Sequence, residues 1–279
     1  MEYKRAFCFG DSYTYYTWPT WADILRKDLG IPLQNWGMNA LGNTGIFCRM
    51  VQCNVINKFT DEDLIIVIWS GWTREDRYLN GKWTCHGNVH VQPKSSIYND
   101  HFINKFWDWS NDIIKNSTAI ISANKMFNIF GNFSIVPMNN LNEIKVGDGK
   151  TQKEWNEANL IKLYLEDFPN IKLFKTPKSK IHDIAQEQHP DIIAHGNFVK
   201  DEIYSKLGIT MKSTTEKDIQ LYQNDLLNEL RLLNFAKSKR INDDIMKNRA
   251  RSIWEKNNWE KYPHQDWQNE LKTWKDLEK

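Results

Sequence analysis

The stretch Arg5-Ala-Phe-Cys-Phe-Gly-Asp-Ser12 decides the fold of this chain. Its apolar run ends abruptly at Gly10-Asp11-Ser12, as expected where a first buried strand delivers a hydroxyl to the carboxyl edge of an α/β sheet. Gly10 permits a tight turn, and the Asp11 side chain can hydrogen-bond neighbouring backbone. Ser12 is therefore a candidate nucleophile, although the same tripeptide also occurs in ordinary strand-to-helix loops.

Strand and helix patterns alternate beyond this stretch. The sequence predicts strands at about 3–10, 33–36, 63–70, 133–136 and 171–174, and helices at about 18–29, 43–57, 99–115, 118–129, 152–166 and 191–206. A polar, Trp-bearing loop is expected from about 71 to 97, and an interruption near Asn116-Ser117. Such alternation predicts parallel βαβ units in a three-layer α/β/α fold.

The pattern changes at about Thr214, so we divide the chain into an α/β domain, 1–213, and a charged, Trp-bearing helical extension, 214–279. Two apolar helical stripes mark the extension: Ile219, Tyr222, Leu226, Leu230 and Leu233, then Trp267, Leu271 and Trp274. We expect these helices to pack back onto the domain. The alternative is a contact with another copy of the chain or docking onto a larger assembly. The basic residues between the stripes are explained by a solvated charged face, so no nucleic-acid partner is expected.

A base for Ser12 is offered by the segment beginning His189-Pro190. Histidine is the side chain best suited to general-base work near neutral pH, and a serine hydroxyl needs such a base to become nucleophilic. Proline suits the first turn of a helix, which places His189 in the loop just before that helix.

Together the two segments resemble the SGNH (GDSL-type) hydrolases over roughly residues 3–210. In that family the nucleophile lies in an N-terminal Gly-Asp-Ser, and the catalytic histidine in Asp-x-x-His-Pro followed by Gly-His. His189, Pro190, Ala194 and His195 match the second motif in spacing, with Ala in place of Gly. The resemblance implies a flavodoxin-like sheet order and a serine esterase that needs no cofactor.

The resemblance also implies an oxyanion site. One donor in the family is a glycine N–H, for which Gly42 is the candidate because it directly precedes a helix N-terminus; Gly37 is the alternative. The second donor is an asparagine amide, and here Thr73 stands in its place, with Ser70 nearby. A hydroxyl can donate, but it has a shorter reach than an amide.

The acid partner of the histidine also departs from the family. Gln186 occupies the position three residues before His189, where the family has aspartate. Asp183 or Glu187 could serve instead, or the site could work as a Ser-His dyad. We expect Asp11 and Trp72 to line the substrate pocket.

These residues predict a serine esterase that forms an acyl-enzyme on Ser12, with a small-molecule or glycan ester as its partner and an O-acetyl group on a glycan as the preferred substrate. The alternative is a catalytically impaired SGNH-fold module that binds or builds a larger assembly through its C-terminal helices. No metal is expected, because Cys85, His86 and His90 offer three ligands without an evident fourth.

Composition agrees with a large core without a membrane span. The 279 residues are 41% hydrophobic and 26% charged with a net charge of +2, which gives no case for nucleic-acid binding. No apolar stretch is long enough to span a bilayer, and the N-terminus lacks a signal-peptide pattern. The four cysteines suggest reduced thiols, so we expect a cytoplasmic protein, or one carried on a virus particle if the Asn-, Lys- and Ile-rich usage reflects a viral genome.

Overall fold

The computed structural model describes residues 3–79, 82–88, 98–138, 167–175, 181, 189–236, 243–257 and 259. Its strands are β1 (Arg5–Phe9), β2 (Leu33–Asn35), β3 (Asp63–Trp69), β4 (Arg74–Leu79), β5 (Lys82–Asn88), β6 (Ile129–Ser134) and β7 (Lys172–Leu173). Its helices are α1 (Trp21–Leu29), α2 (Asn43–Asn57), α3 (Asp100–Phe106), α4 (Trp109–Met126), α5 (Ile192–Phe198), α6 (Ser213–Ala236) and α7 (Asp243–Lys256). A π-helical stretch, Val199–Tyr204, and a short turn, Ser205–Leu207, continue α5.

Five strands form one parallel sheet in the order β2-β1-β3-β6-β7, with helices flanking it. Counting only these strands, the order is 2-1-3-4-5, which is the flavodoxin-like arrangement. The predicted three-layer α/β/α class is thereby confirmed. Chains of this order place ligands outside the carboxyl ends of the strands, where the order reverses beside β1.

The centre of the sheet is β1 paired with β3, in a register that sets Arg5 opposite Asp63 and Phe9 opposite Val67. All seven residues of β3 are buried, as expected for a strand covered on both faces. At the start of the register, the Arg5 guanidinium holds the Asp63 carboxylate with two hydrogen bonds, Nε–Oδ1 at 2.8 Å and Nη2–Oδ2 at 2.7 Å. The buried apolar residues and the two hydrogen bonds between Arg5 and Asp63 together fix the alignment of β1 and β3.

Contacts within the chain divide it into two compact units. The first unit comprises Met1–Asp11 and Trp36–Phe174, and the second comprises Ser12–Asn35 and Lys175–Lys279. The expected boundary at 213/214 falls inside the second of these units, and it stays a prediction. Within the second unit, α6 packs against α1, α5 and α7.

The apolar stripe predicted on α6 is buried as expected at Ile219, Tyr222, Leu226 and Leu230. The side chain of Leu233 and the second stripe, Trp267, Leu271 and Trp274, lie outside the described residues. The packing of α6 onto α1 and α5 agrees with the expectation that the extension folds back rather than projecting.

Two predictions differ from the structure. The segment expected to be a loop after β3 contains the antiparallel hairpin β4–β5. The helix break expected at Asn116-Ser117 lies inside α4, and the real break falls between α3 and α4. Asn116 fits within the helix because its Nδ2 donates to the carbonyls of Asp112 and Trp72, so its amide N–H groups find acceptors without a turn.

The remaining elements follow the sequence with small shifts. The strand predicted at 133–136 begins earlier and ends at Ser134, before Pro137. The helix predicted at 152–166 lies outside the described residues. Among the helices that the structure describes, none has the length and apolar character needed to cross a membrane.

Candidate active site

The two residues singled out as nucleophile and base meet in the second unit. The Nε2 atom of His189 lies 2.9 Å from the Oγ atom of Ser12, across 177 positions of sequence. This is the distance at which a histidine can accept the proton of a serine hydroxyl. Ser12 is 5% exposed, so the hydroxyl is largely shielded from bulk water.

The main chain after His189 is fixed by contacts on both sides. Trp18, whose side chain is fully buried, donates from Nε1 to the carbonyl oxygen of Pro190 at 2.7 Å. Asp191 is the N-cap of α5, and its Oδ1 accepts the N–H of Ala194 at 3.0 Å. A capping carboxylate satisfies one of the free N–H groups of a helix start and favours its positive end. His189 therefore projects from a short, anchored connection.

Aromatic rings cover the imidazole of His189. Tyr16 stacks on it, with ring centroids 3.9 Å apart and planes inclined by 20°. Tyr13 lies at a centroid distance of 5.9 Å and 54°. The edge of the arrangement is closed by Trp18, which packs against Tyr16 at 4.6 Å. The segment 12–18 thus supplies both the candidate nucleophile and the rings that pack around its candidate base.

The second histidine of the motif has a different environment. His195, on α5, is 1% exposed. Burial, and then the nearby His189, lower the pKa of His195 to about 3. The ring is therefore neutral near pH 7, and of the two histidines only His189 is placed to act on Ser12.

The candidate acid partners of His189 stand in the segment just before it. Asp183, Gln186 and Glu187 all lie outside the described residues. Their role as orienting groups for the histidine stays a prediction.

In the first unit, the N–H of Gly42 already has a partner. It donates to Oδ1 of Asp76, on β4, at 2.8 Å, and the N–H of Gly45 donates to Oδ2 of the same carboxylate at 3.0 Å. Gly42 is the N-cap of α2, so Asp76 sits at the positive end of this helix. The donor predicted for an oxyanion is thus engaged by a carboxylate of the protein's own.

Burial raises the pKa of Asp76 to about 6, and its two backbone hydrogen bonds to Gly42 and Gly45 only partly offset that effect. The neighbouring Glu75 carboxylate adds to the rise. The charge state of this group therefore changes in the range just below neutral pH.

The hydroxyl and backbone of Ser70 are also engaged within the first unit. Its Oγ donates to Oδ2 of Asp11 at 3.0 Å, and its N–H and carbonyl bind the amide of Asn43 at 2.7 and 3.1 Å. Asp11 is fully buried and pairs with Arg74 Nη1 at 2.9 Å. These contacts tie the end of β3 to the start of α2 and to the residue before Ser12.

The other predicted site residues differ in exposure. Thr73 is half-buried in the turn between β3 and β4. Trp72 is 5% exposed and packs near Phe168, at a ring-centroid distance of 6.0 Å. Both Asp11 and Trp72 are buried, and their role in lining the substrate pocket stays a prediction.

Several residues of this region were not identified from the sequence. Tyr16 and Trp18 could have been identified, because an aromatic run directly follows the candidate nucleophile in Tyr13-Thr-Tyr-Tyr-Thr-Trp18. Asp76 and Gln223 carry no local signal, since their partners lie far away in sequence. Across the described part of the chain, no group of three or more His, Cys, Asp or Glu residues is arranged to hold a metal ion.

Comparison with known proteins adds no family assignment: no protein-family model and no curated protein matches this sequence.

Proposed function

We propose that the protein is a serine ester hydrolase of the SGNH type, with Ser12 as nucleophile and His189 as general base. The observation that carries the proposal is the 2.9 Å separation between Ser12 Oγ and His189 Nε2. Support also comes from the flavodoxin-like strand order, in which Ser12 follows β1 at the carboxyl edge of the sheet. The resemblance in sequence favours an O-acetyl group on a glycan as the ester.

The reaction follows from these two side chains. His189 Nε2 takes the proton from Ser12 Oγ while that oxygen bonds to the ester carbonyl carbon, whose oxygen becomes the oxyanion. The tetrahedral intermediate then collapses. The bond between the carbonyl carbon and the alcohol oxygen breaks, and the imidazolium of His189 gives its proton to the departing alcohol. Water then attacks the carbonyl carbon of acyl-Ser12 while His189 takes a proton from it. The second tetrahedral intermediate breaks its bond to Ser12 Oγ, His189 returns the proton to that oxygen, and the acid is released.

The N–H of Ser12 is the first candidate donor to the oxyanion, and the roles of Gly42, Ser70 and Thr73 stay predictions. Loss of one such donor typically costs about 10²–10³ in rate. Because the Gly42 N–H donates to Asp76, its use as an oxyanion donor requires that this hydrogen bond be given up.

The test is hydrolysis of p-nitrophenyl acetate by the full chain, together with covalent labelling by a fluorophosphonate probe read out by intact mass. Ser12→Ala should abolish labelling, and either Ser12→Ala or His189→Ala should lower kcat by about 10³-fold or more, because the two groups act as one device. Ser205→Ala and His101→Ala remove the same side-chain types at exposed positions and serve as matched controls. Equal turnover in all five proteins would assign the hydrolysis to adventitious surface chemistry.

A second candidate is a non-catalytic module that keeps the fold. The observation that favours it is the Asp76 carboxylate on the Gly42 N–H, which fills the place where an oxyanion was expected to bind. Absence of both turnover and fluorophosphonate labelling in the wild-type chain would select this candidate.

A further inference from the structure

The C-terminal helix α6 reaches the connection that carries His189 through one buried amide. Nε2 of Gln223 donates to Oδ2 of Asp191 at 3.1 Å. Both side chains are buried, with exposures of 2% for Gln223 and 5% for Asp191. A hydrogen bond to a buried carboxylate is among the stronger kinds, because an ionised acceptor in a low-dielectric setting attracts the donor strongly.

The same carboxylate holds the start of α5. While Oδ2 accepts from Gln223, Oδ1 accepts the N–H of Ala194 and closes the first turn of that helix. Asp191 is only two positions after His189, and the proline between them has its carbonyl held by Trp18. Two hydrogen bonds therefore hold the residues after His189. Trp18 donates to the carbonyl of Pro190, and Gln223 donates to the side chain of Asp191.

The two helices also pack closely beside this link. A Cβ atom on Gly196 of α5 would lie 3.2 Å from Cδ1 of Ile219, which stands one turn before Gln223 on α6. A glycine at this point lets α6 approach α5 closely enough for the glutamine amide to reach the capping carboxylate. Helix α6 therefore supports the start of α5 through both its packing and the Gln223 amide.

The buried amide of Gln223 carries a cost in stability. Within the described part of the chain its Oε1 atom is buried with no hydrogen-bond partner. A buried acceptor without a partner destabilises the folded chain, and an apolar side chain of similar length would avoid that cost. The interaction that the amide does make is with Asp191, so its contribution lies in where it holds that carboxylate.

We propose that Gln223 is a positioning residue for His189, acting through Asp191, and that α6 is part of the support of the Ser12–His189 pair. The proposal rests on the proposed function for its kinetic consequence, and its structural consequence can be measured without any turnover.

The test compares Gln223→Met with Gln220→Met in the full chain. Methionine has the length of glutamine but no N–H to donate. Gln220 is exposed on the same helix and donates to Asn224, one turn further along, which makes it a matched control. Gln223→Leu removes the donor with a different shape and guards against a packing fault peculiar to methionine. Thermal unfolding confirms that each variant is folded at the assay temperature.

Two readouts follow the position of His189. The ring proton resonances of His189, assigned by their loss in His189→Ala, should shift in both Gln223 variants and stay in place in Gln220→Met. With p-nitrophenyl acetate, kcat should fall by about tenfold with KM little changed, since a small misplacement of a catalytic base acts on the transition state more than on ground-state binding.

Unchanged His189 resonances in folded Gln223 variants would overturn the proposal, whatever the activity. Shifted resonances with a lower kcat would support it together with the proposed function. Shifted resonances in a chain whose wild type neither turns over nor labels would support the positioning role while rejecting the esterase.

Discussion

The phenol ring of Tyr16 lies face to face with the imidazole of His189, with centroids 3.9 Å apart and planes inclined by 20°. This stack limits rotation of the histidine ring and presents the electron-rich face of an aromatic side chain to it. In the proposed reaction an imidazolium forms at His189, and that face would stabilise it, as cations over aromatic rings generally are.

Removal of the ring should therefore slow the chemical step. We expect Tyr16→Leu to lower kcat for p-nitrophenyl acetate by about 3–10-fold, in line with the energy of one cation–ring contact. Tyr16→Phe keeps the stack and should retain activity within about twofold of the wild type. Equal losses in both variants would assign the effect to the hydroxyl, and no loss in either would remove the stack from the mechanism.

Trp18 should matter for both stability and activity. Trp18→Phe removes the donor to the Pro190 carbonyl and leaves that buried acceptor without this partner, at a cost of about 1–3 kcal/mol in the free energy of unfolding beyond the lost packing. Urea denaturation measures the free energy, and kcat reports the displacement of His189.

Trp21→Phe provides the matched control for this change. Trp21 is also fully buried, but in the described part of the chain its Nε1 has no hydrogen-bond partner. The same ring atoms are lost without a hydrogen bond, so Trp21→Phe should be the milder substitution and should leave kcat unchanged. Equal destabilisation by both substitutions would contradict the importance assigned to the Trp18–Pro190 contact.

Gly42 should not tolerate a side chain. A Cβ at this position would lie 2.8 Å from Oδ2 of Asp76 and 2.9 Å from the backbone oxygen of Arg74, and a backbone atom cannot rotate away. Gly42→Ala should lower the free energy of unfolding by about 1–3 kcal/mol, as overpacked substitutions do. Gly71→Ala, where a Cβ meets nothing within 4 Å, should be close to neutral in the same thermal or urea denaturation.

The raised pKa of Asp76 predicts a pH dependence of stability. Its pKa is about 6 in the folded chain, against an ordinary value of 3.8, because burial disfavours the carboxylate. The folded state thus holds this proton more tightly than the unfolded chain. Its contribution to stability is complete below about pH 4 and is lost as the pH rises through about 6, a change of roughly 3 kcal/mol.

Asp76→Asn removes this titration. As the pH rises from about 4 to about 7, the wild type should therefore lose free energy of unfolding relative to this variant. Asp63→Asn is the contrasting control. Burial by itself would raise the pKa of Asp63, but the hydrogen bonds from Arg5 lower it. The stability that the Asp63 carboxylate contributes is therefore lost as the pH falls. Parallel stability curves for wild type and Asp76→Asn across this range would contradict the prediction.

Local sequence was sufficient for the elements that carry a strong apolar signal. The run Asp63–Trp69 could be recognised as a buried parallel strand, and the bounds of α2 were predicted as the structure has them, because burial of a continuous β-branched segment and a glycine before a helical pattern are local properties. The hairpin β4–β5 was not predicted, because its residues are mostly polar and largely half-buried or exposed. They lack the alternation of apolar and polar residues that marks a strand.

The residues of the candidate site also fall into two groups, those that local sequence identified and those that only the tertiary structure revealed. Ser12 and His189 could be nominated from the sequence because each stands in a short segment whose residue types suit its chemistry, namely Gly-Asp-Ser after a strand and His-Pro before a helix. Tertiary structure alone brought the two within 2.9 Å, stacked Tyr16 on the imidazole, placed the Asp76 carboxylate on Gly42, and linked Gln223 to Asp191. Hydrogen bonds and ring contacts depend on distances between atoms far apart along the chain, and no periodicity or spacing within a segment encodes those distances.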